Sequence, residues 1–345
     1  MIGEFILSDI AVTPRVNSER LRCCDRDGLA RVDHPQCAAF AVPPGGLLTE
    51  TYPKQRCMEF TRSNACGRCK LGPRQVINIV TSTFDLQTVY GTTTELANER
   101  RTFSGGQLEI QLASDGGELF AVDKLNGTGT IRFRCFKGNC RRSPFSDVRE
   151  SLSPSAAGWA LLFYRRHNQH GRGLAEVNSQ WSDEQLYQEA RRLTIAEYQH
   201  TIYDEYFPTL VGIRISSYFG FSPKNELEYI KYNPLLNIQS VLEFTTAAGR
   251  QGHGGIHEDI ELVLSDQTKS KSRILLNLRD SQLYESVFYD GYVDALFRGQ
   301  LLNPTFEITP SNPLKTFLFN FPNRTFGLDL GALDVQRGRD HGLPS

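Results

Sequence analysis

At 345 residues the chain can bury one large hydrophobic core or two small ones. Its 38 basic side chains nearly cancel 39 acidic ones, for a formal net charge of -1. That balance gives no basic surplus for nucleic acid and no charge run of the kind found in disordered tails. No stretch approaches the roughly 20 apolar residues that span a bilayer as a helix.

The first segment, Ile2 to Val12, reads as a short amphipathic helix stopped by Pro14. Glu4 and Asp9 within it rule out the basic start and apolar core of a signal peptide, so it reads as the middle of a folded element. Residues 15–75 are loop-rich, broken at Pro43-Pro44-Gly45-Gly46. Six of the eight cysteines, Cys23, Cys24, Cys37, Cys57, Cys66 and Cys69, crowd into this stretch, followed by Cys135 and Cys140. An even number in loop-like sequence suggests local disulfides of unspecified pairing. The single CxxC, Cys66 to Cys69, argues against a zinc site, which wants paired clusters. Sequons at Asn126 and Asn323 fit an extracellular surface.

Apolar periodicity resumes over 73–90, and Gln107 to Leu112 alternates like a short strand. Helices dominate beyond. Ser153-Pro154 supplies an N-cap and a proline at the first helical position, with Ala156, Trp159, Leu162 and Phe163 on one face. Ser182 to Gln185 is a capping box that leads into Leu186, Ala190 and Leu193. A further helix is expected from Asn237, with Ile238, Val241, Leu242, Thr245 and Ala248 on one face, ending among Gly252, Gly254 and Gly255. No internal repeat or low-complexity linker interrupts the chain, so one domain over 1–345 is the simplest organisation.

Of the seven histidines, His253 stands out, because small residues flank it in Arg250-Gln-Gly-His253-Gly-Gly. Glycines let a flat cofactor approach the backbone, and histidine is the usual axial ligand of a peroxidase haem. A helix-end cap or a hydrogen-bonded core histidine is the competing reading. His253 and His257 are four apart, but HGGIH lacks the glutamate of HExxH. Thr81-Ser-Thr83-Phe-Asp85-Leu-Gln87 places oxygen-bearing side chains at alternate positions, which suits Ca²⁺ or a polar edge strand. Arg149 precedes the Ser153 helix start, and Arg337 and Arg339 sit in RGRDHG. Such arginines bind carboxylates or stay on the solvated surface. The basic run Arg165 to Gly173 reads as a solvated helix end rather than a phosphate patch.

Seven segments, in order along nearly the whole chain, together resemble the animal haem peroxidase family. They are FILSDIAVTP, CMEFTRS, PRQVINIVTSTFDLQTVYG, DVRESLSPSAAGWALLFYRRHN, QLYQEARRLTIAEYQHTIYDEYFPTLVG, EFTTAAGRQGH and GLDLGALDVQRGRDHGLPS. The resemblance implies a mainly α, helical domain with a loop-rich, disulfide-bearing N-terminal part and few short strands. It implies an extracellular protein that binds haem b and calcium and uses hydrogen peroxide to oxidise a small-molecule electron donor. It makes His253 the axial haem ligand, Arg149 the distal arginine and Arg337 a propionate partner, with Arg250 on the proximal side. Asp9, Thr81, Thr83, Asp85 and Gln87 would ring the calcium ion.

The departures from the family pattern carry equal weight. Ser8 stands at the distal histidine position, and no histidine occurs before His34. Leu7 and Leu152 occupy positions where many members carry the acids that ester-link haem, so haem would be non-covalent. Glu4 replaces a glutamine, Asp334 replaces the asparagine that bonds the proximal histidine, and Gln87 replaces a serine ligand. The chain also stops where relatives continue, as a truncated domain would. Two expectations follow: a peroxidase with impaired turnover, or a catalytically inactive extracellular homologue that binds haem or acts in adhesion. Nothing in the sequence specifies the donor or the oligomeric state.

Overall fold

Breakers and caps set the helix boundaries. The computed structural model describes all residues except 1, 16–20, 26–27, 32, 68–71, 121–153, 222–232, 266–272, 279–285, 305–308, 319–325 and 344–345. Helix α1 (Ile2–Ile10) comes first, its last turn closed by Ala11 N donating to Leu7 O at 3.0 Å. In the loop-rich stretch, β1 (Phe40–Ala41) pairs antiparallel with β2 (Cys57–Met58), and α2 (Leu47–Thr51) lies between them. Then come α3 (Gln87–Tyr90), α4 (Thr94–Glu99) and the hairpin β3 (Ile110–Leu112) with β4 (Glu118–Phe120). The long helices α5 (Pro154–Val177) and α6 (Asp183–His200) follow, α6 passing through a π-helical turn (Thr201–Tyr206) into α7 (Phe207–Val211) and α8 (Ile213–Tyr218). Helix α9 (Leu242–Thr246) gives way to a 3₁₀ segment (Ala248–Gly255) and the hairpin β5 (Asp259–Val263) with β6 (Arg273–Asn277). The chain closes with α10 (Ser286–Tyr289), α11 (Val293–Leu302), α12 (Asn312–Thr316) and α13 (Leu330–Asp340). This is the expected mainly α architecture with few, short strands.

Several sequence expectations need correction. The apolar run at 73–90 forms helix only from Gln87. On α5 the buried face is Ala156, Ala157, Ala160, Leu161, Phe163 and Tyr164, while Leu162 points to solvent. The helix expected from Asn237 begins only at Leu242, and Ile238 and Val241 are exposed. Its glycines lie inside the 3₁₀ segment rather than past a helix end. The capping box at Ser182 is present, with Gln185 N donating to Ser182 Oγ and Ser182 N donating to Gln185 Oε1. Disulfides join Cys23 to Cys37 and Cys24 to Cys57. Cys66 is exposed and carries no disulfide, and Cys69, Cys135, Cys140 and both sequons lie outside the described residues.

The chain divides into two compact units, Met1–Val80 with Asp147–Gly158 and Ser240–Ser345, and Thr81–Ser146 with Trp159–Gln239. The first is built on the β5–β6 hairpin, whose Ile260, Leu262 and Leu276 pack with Leu296 of α11, Leu314 of α12 and Met58 of β2. Helix α11 lies flat on β5 because residue 299 is glycine: a Cβ there would fall 1.8 Å from Glu261 O. Any side chain would therefore lift the helix off the strand.

In the second unit, α5 and α6 bury a polar knot. His167 is fully buried; its Nδ1 accepts from Tyr90 Oη at 3.0 Å, and its Nε2 donates to Gly106 O at 2.9 Å. The carbonyl can only accept, which fixes the neutral tautomer with hydrogen on Nε2. Gly106 has φ +66° and approaches Leu186 so closely that a Cβ would lie 2.6 Å from it. The basic run after His167 is tied down by ion pairs, Arg166 with Glu197 and Arg172 with Glu118, so it is no phosphate patch.

Burial pushes His167 down to about 4, from the ordinary 6.5. The unfolded chain therefore takes up a proton between pH 6.5 and about 4 that the folded one refuses. Stability contributed by the neutral ring is full above 6.5 and falls as the pH drops through that window, by about 3 kcal/mol. Urea unfolding of the native protein and of His167→Gln, compared between pH 7 and pH 4.5, should show a shallower pH slope in the variant. Equal slopes would contradict the assignment.

Candidate functional site

The residues that the sequence singles out near His253 come from three elements of the first unit: α1, the 3₁₀ segment and α13. The 3₁₀ segment exists because Ala248 to Gly255 holds four glycines and no β-branched residue, which favours a tight turn over a regular helix. Residue 249 must be glycine, because a Cβ there would meet Leu7 Cδ1 at 2.6 Å and Phe244 O at 2.8 Å. This lets α1 rest directly on the segment. Helix α13 is capped by Asp329, whose side chain accepts from Ala332 N, and it presents Asp334 and Arg337 one turn apart.

These elements converge on one imidazole. His253 Nδ1 bonds Asp334 Oδ2 at 2.5 Å, and His253 Nε2 bonds Glu4 Oε1 at 2.9 Å. Arg250 Nη1 donates to the other Asp334 oxygen at 3.2 Å, and its Nε donates to Thr245 O. Burial alone would push the imidazole pKa down, but the Glu4 and Asp334 carboxylates override it and hold His253 up to about 9. At neutral pH the ring is therefore an imidazolium that donates from both nitrogens. Two cations and two carboxylates close into a charge-balanced cluster, with the His253 and Glu4 side chains 11% and 15% exposed.

Arg337 is bound into a second cluster beside it. Its Nη1 donates to Ser63 Oγ at 2.9 Å, to Thr61 O and to Asp340 Oδ2 at 3.2 Å, and its guanidinium lies 4.0 Å over the Phe60 ring. Burial and the nearby Arg15 press its pKa down while Asp340 opposes them; from so high a starting value it stays charged. Asp340 is the hub. It accepts from Arg62 Nε at 2.6 Å and from Ser63 N at 2.8 Å, and Ser63 Oγ meets His341 Nε2 at 2.8 Å. Burial raises the Asp340 carboxyl, but Arg62, the Ser63 amide and Arg337 outweigh it and hold it below the usual range. Sequence reading missed this hub, although Asp340 and His341 stand in the RGRDHG string.

The remaining candidates are placed as follows. Ser8 and Leu7 are buried on α1, Ser8 one turn after Glu4. Asp9 is buried on the same helix. Thr81, Thr83, Asp85 and Gln87 belong to the second unit. There Thr81 Oγ1 donates to Asp85 Oδ1 at 2.9 Å and Thr83 Oγ1 to Asp85 Oδ2 at 3.4 Å, so three of the expected calcium ligands share one loop. Gln199 Nε2 of α6 holds that loop at Phe84 O. Gln87 is buried at the start of α3, behind Leu86 with φ 55°. Arg149 and Leu152 lie outside the described residues.

The sequence model of the animal haem peroxidase family matches residues 1–345. Among curated proteins, the chain is 30% identical to the chorion peroxidase of Drosophila melanogaster over 99% of its own length and 43% of that protein's. It is 29% identical to peroxidasin of the same species over 99% of its length and 23% of that protein's. It thus spans less than half of these relatives. Among solved structures, peroxidase A from Dictyostelium discoideum superposes with a TM-score of 0.75 at 24% identity, covering 99% of this chain and 62% of that one. A fatty acid α-dioxygenase from Arabidopsis thaliana superposes at 0.61 with 16% identity. At these identities the two structures show the fold.

Because Asp340 has no exposed side-chain surface and faces two arginines, its removal should leave buried charge unbalanced. Asp340→Ala should lower unfolding stability by about 3–5 kcal/mol. Asp33→Ala, which breaks the exposed Arg31–Asp33 pair, should change it by less than about 1 kcal/mol. Denaturant midpoints of the two variants check the contrast.

Proposed function

The chain belongs to the animal haem peroxidase family, and we propose that residues 1–345 are a single such domain that binds haem b non-covalently and turns over hydrogen peroxide slowly. The observation that carries this reading is the His253–Asp334 pair. A histidine whose Nδ1 is anchored by a carboxylate keeps its other nitrogen aimed in one direction and gains donor strength, the usual arrangement behind a metal-binding imidazole. The donor set therefore fits haem iron in kind, with His253 Nε2 as the axial donor. Arg250 balances the Asp334 charge, and Arg337 is the candidate partner for a propionate. Bound haem would supply the redox centre for peroxide reduction and donor oxidation.

The reading of slow turnover rests on Ser8. Peroxide reduction needs a group that takes a proton from the bound oxidant and returns it, and a histidine near neutral pH can do both. The serine hydroxyl is neither a base nor an acid there. Arg149, the candidate distal arginine, can stabilise negative charge but cannot accept the proton. Loss of a positioned acid–base group lowers rates by about 10²–10⁴-fold. The same residue supports a second reading, an inactive homologue that keeps the haem site for binding or adhesion alone.

We also propose calcium at the Thr81–Gln87 loop through Thr81, Thr83, Asp85 and Gln87, with Asp9 as the further ligand implied by the family pattern. The support is the shared oxygen cluster on Asp85. The Cys23–Cys37 and Cys24–Cys57 disulfides support an extracellular location.

Titration with haemin should give a Soret band of an imidazole-ligated haem in the native protein and in Ser8→His, but not in His253→Ala. Ser8→His should then consume peroxide about 10²–10⁴-fold faster than the native protein. An unchanged spectrum in His253→Ala overturns the axial assignment, equal peroxide rates overturn the impaired-site reading, and no detectable turnover in the native protein favours the binding role. For calcium, melting temperature should rise with added Ca²⁺ and fall on chelation, and Asp85→Ala should abolish the response.

A further inference from the structure

The His253 nitrogen that suits an iron atom is already bonded. Glu4 Oε1 stands 2.9 Å from Nε2, and a nitrogen with one lone pair serves either a proton shared with a carboxylate or a metal, never both. Metal–imidazole bonds are about 2.0–2.1 Å long, so iron and the Glu4 carboxylate would claim the same space. The packing around them is equally close: Leu7 Cδ1 would lie 2.6 Å from a Cβ at Gly249, and Gly252 faces Glu4 Oε1 at 4.0 Å.

The far end of α1 is fastened differently. Asn78 Nδ2 donates to Ile10 O at 2.9 Å, Asn78 Oδ1 accepts from Val12 N at 2.9 Å, and Ile79 N donates to Val12 O at 3.0 Å. Ser240 Oγ adds a bond to Ile10 O at 3.3 Å. The C-terminal end of α1 is therefore pinned through backbone groups, whereas its N-terminal half meets the 3₁₀ segment through the Glu4 carboxylate and Leu7.

We propose that Glu4 is a latch: it holds the N-terminal half of α1 down on His253 and competes with haem iron for Nε2, so haem uptake requires α1 to tilt about its Asn78 anchor. This rests on the haem-binding reading above. Glu4 acts here as a positioning residue that sets how readily the site opens. The apparent affinity of a site is its intrinsic affinity scaled by the fraction of molecules in the open arrangement. A hydrogen-bonded charge pair of this kind holds the closed arrangement strongly enough that weakening it should raise apparent haemin affinity by about tenfold or more.

The test is a haemin titration of the full chain, native, Glu4→Gln and Glu4→Asp, read by the Soret band. It is paired with hydrogen exchange of the Phe5–Ile10 amides before and after haemin. Glu4→Gln removes the charge while keeping the size, and Glu4→Asp keeps the charge but shortens the reach, so the result does not depend on one variant folding. Both should bind haemin about tenfold or more tightly than the native chain. Their α1 amides should exchange faster without haemin, and the native amides should reach the same rate only when haemin is added. Equal affinities in all three, or α1 amides in the native chain that stay protected on haemin binding, would overturn the latch while leaving the haem reading intact. If no variant binds haemin, and His253→Ala behaves like the rest, the haem reading fails and the latch with it.

Discussion

The imidazole of His253 lies between two carboxylates, Asp334 of α13 and Glu4 of α1, and the arrangement of the first unit follows from that contact. Three elements distant in sequence must meet within hydrogen-bond reach of one ring. Gly249 makes the approach of α1 possible. Arg250 and the imidazolium balance the carboxylates, so the ring can be buried as a cation. Asp334 and Arg337 sit one turn apart on α13 and therefore serve two adjoining clusters with one helix. Asp340, a further turn-length on, ties the same helix to Arg62 and Ser63 in the loop-rich part, where the two disulfides shorten the loops.

The same chemistry gives His253 its chemical interest. A carboxylate on Nδ1 makes an imidazole a stronger donor than the neutral asparagine amide of the family pattern would. Arg250 on the other Asp334 oxygen draws part of that charge away. The serine at position 8 alters the opposite side of the chemistry, by removing proton transfer and leaving binding untouched. Family membership, donor set and departures are thus consistent with a site that favours haem binding over rapid turnover.

Much of this was legible in the sequence, for reasons that are local. The capping box at Ser182, the proline at position 154 and the glycine-flanked His253 are short-range signals, and each marks the element it should. The shortened α9 was not legible, because its apolar spacing from Asn237 fits a helix while Ile238 and Val241 turn out to be exposed; periodicity reports a face but not what covers it. The Leu162 face of α5 failed for the same reason. The Asp340 hub and the Glu4–His253 bond could not be read at all, because each joins residues hundreds of positions apart. Their only trace was that a charged residue stood where the family pattern is neutral, as at Glu4 and Asp334.

The account's central claim is that His253 is an axial donor made electron-rich by Asp334. The most direct measurement is resonance Raman of the reduced, haemin-reconstituted protein, comparing the iron–histidine stretch in the native chain and in Asp334→Asn. The account predicts an iron–histidine band in the native protein that moves to lower frequency when the carboxylate becomes an amide, because the imidazole loses anionic character. A band at the same frequency in both proteins, or none in either, would contradict it.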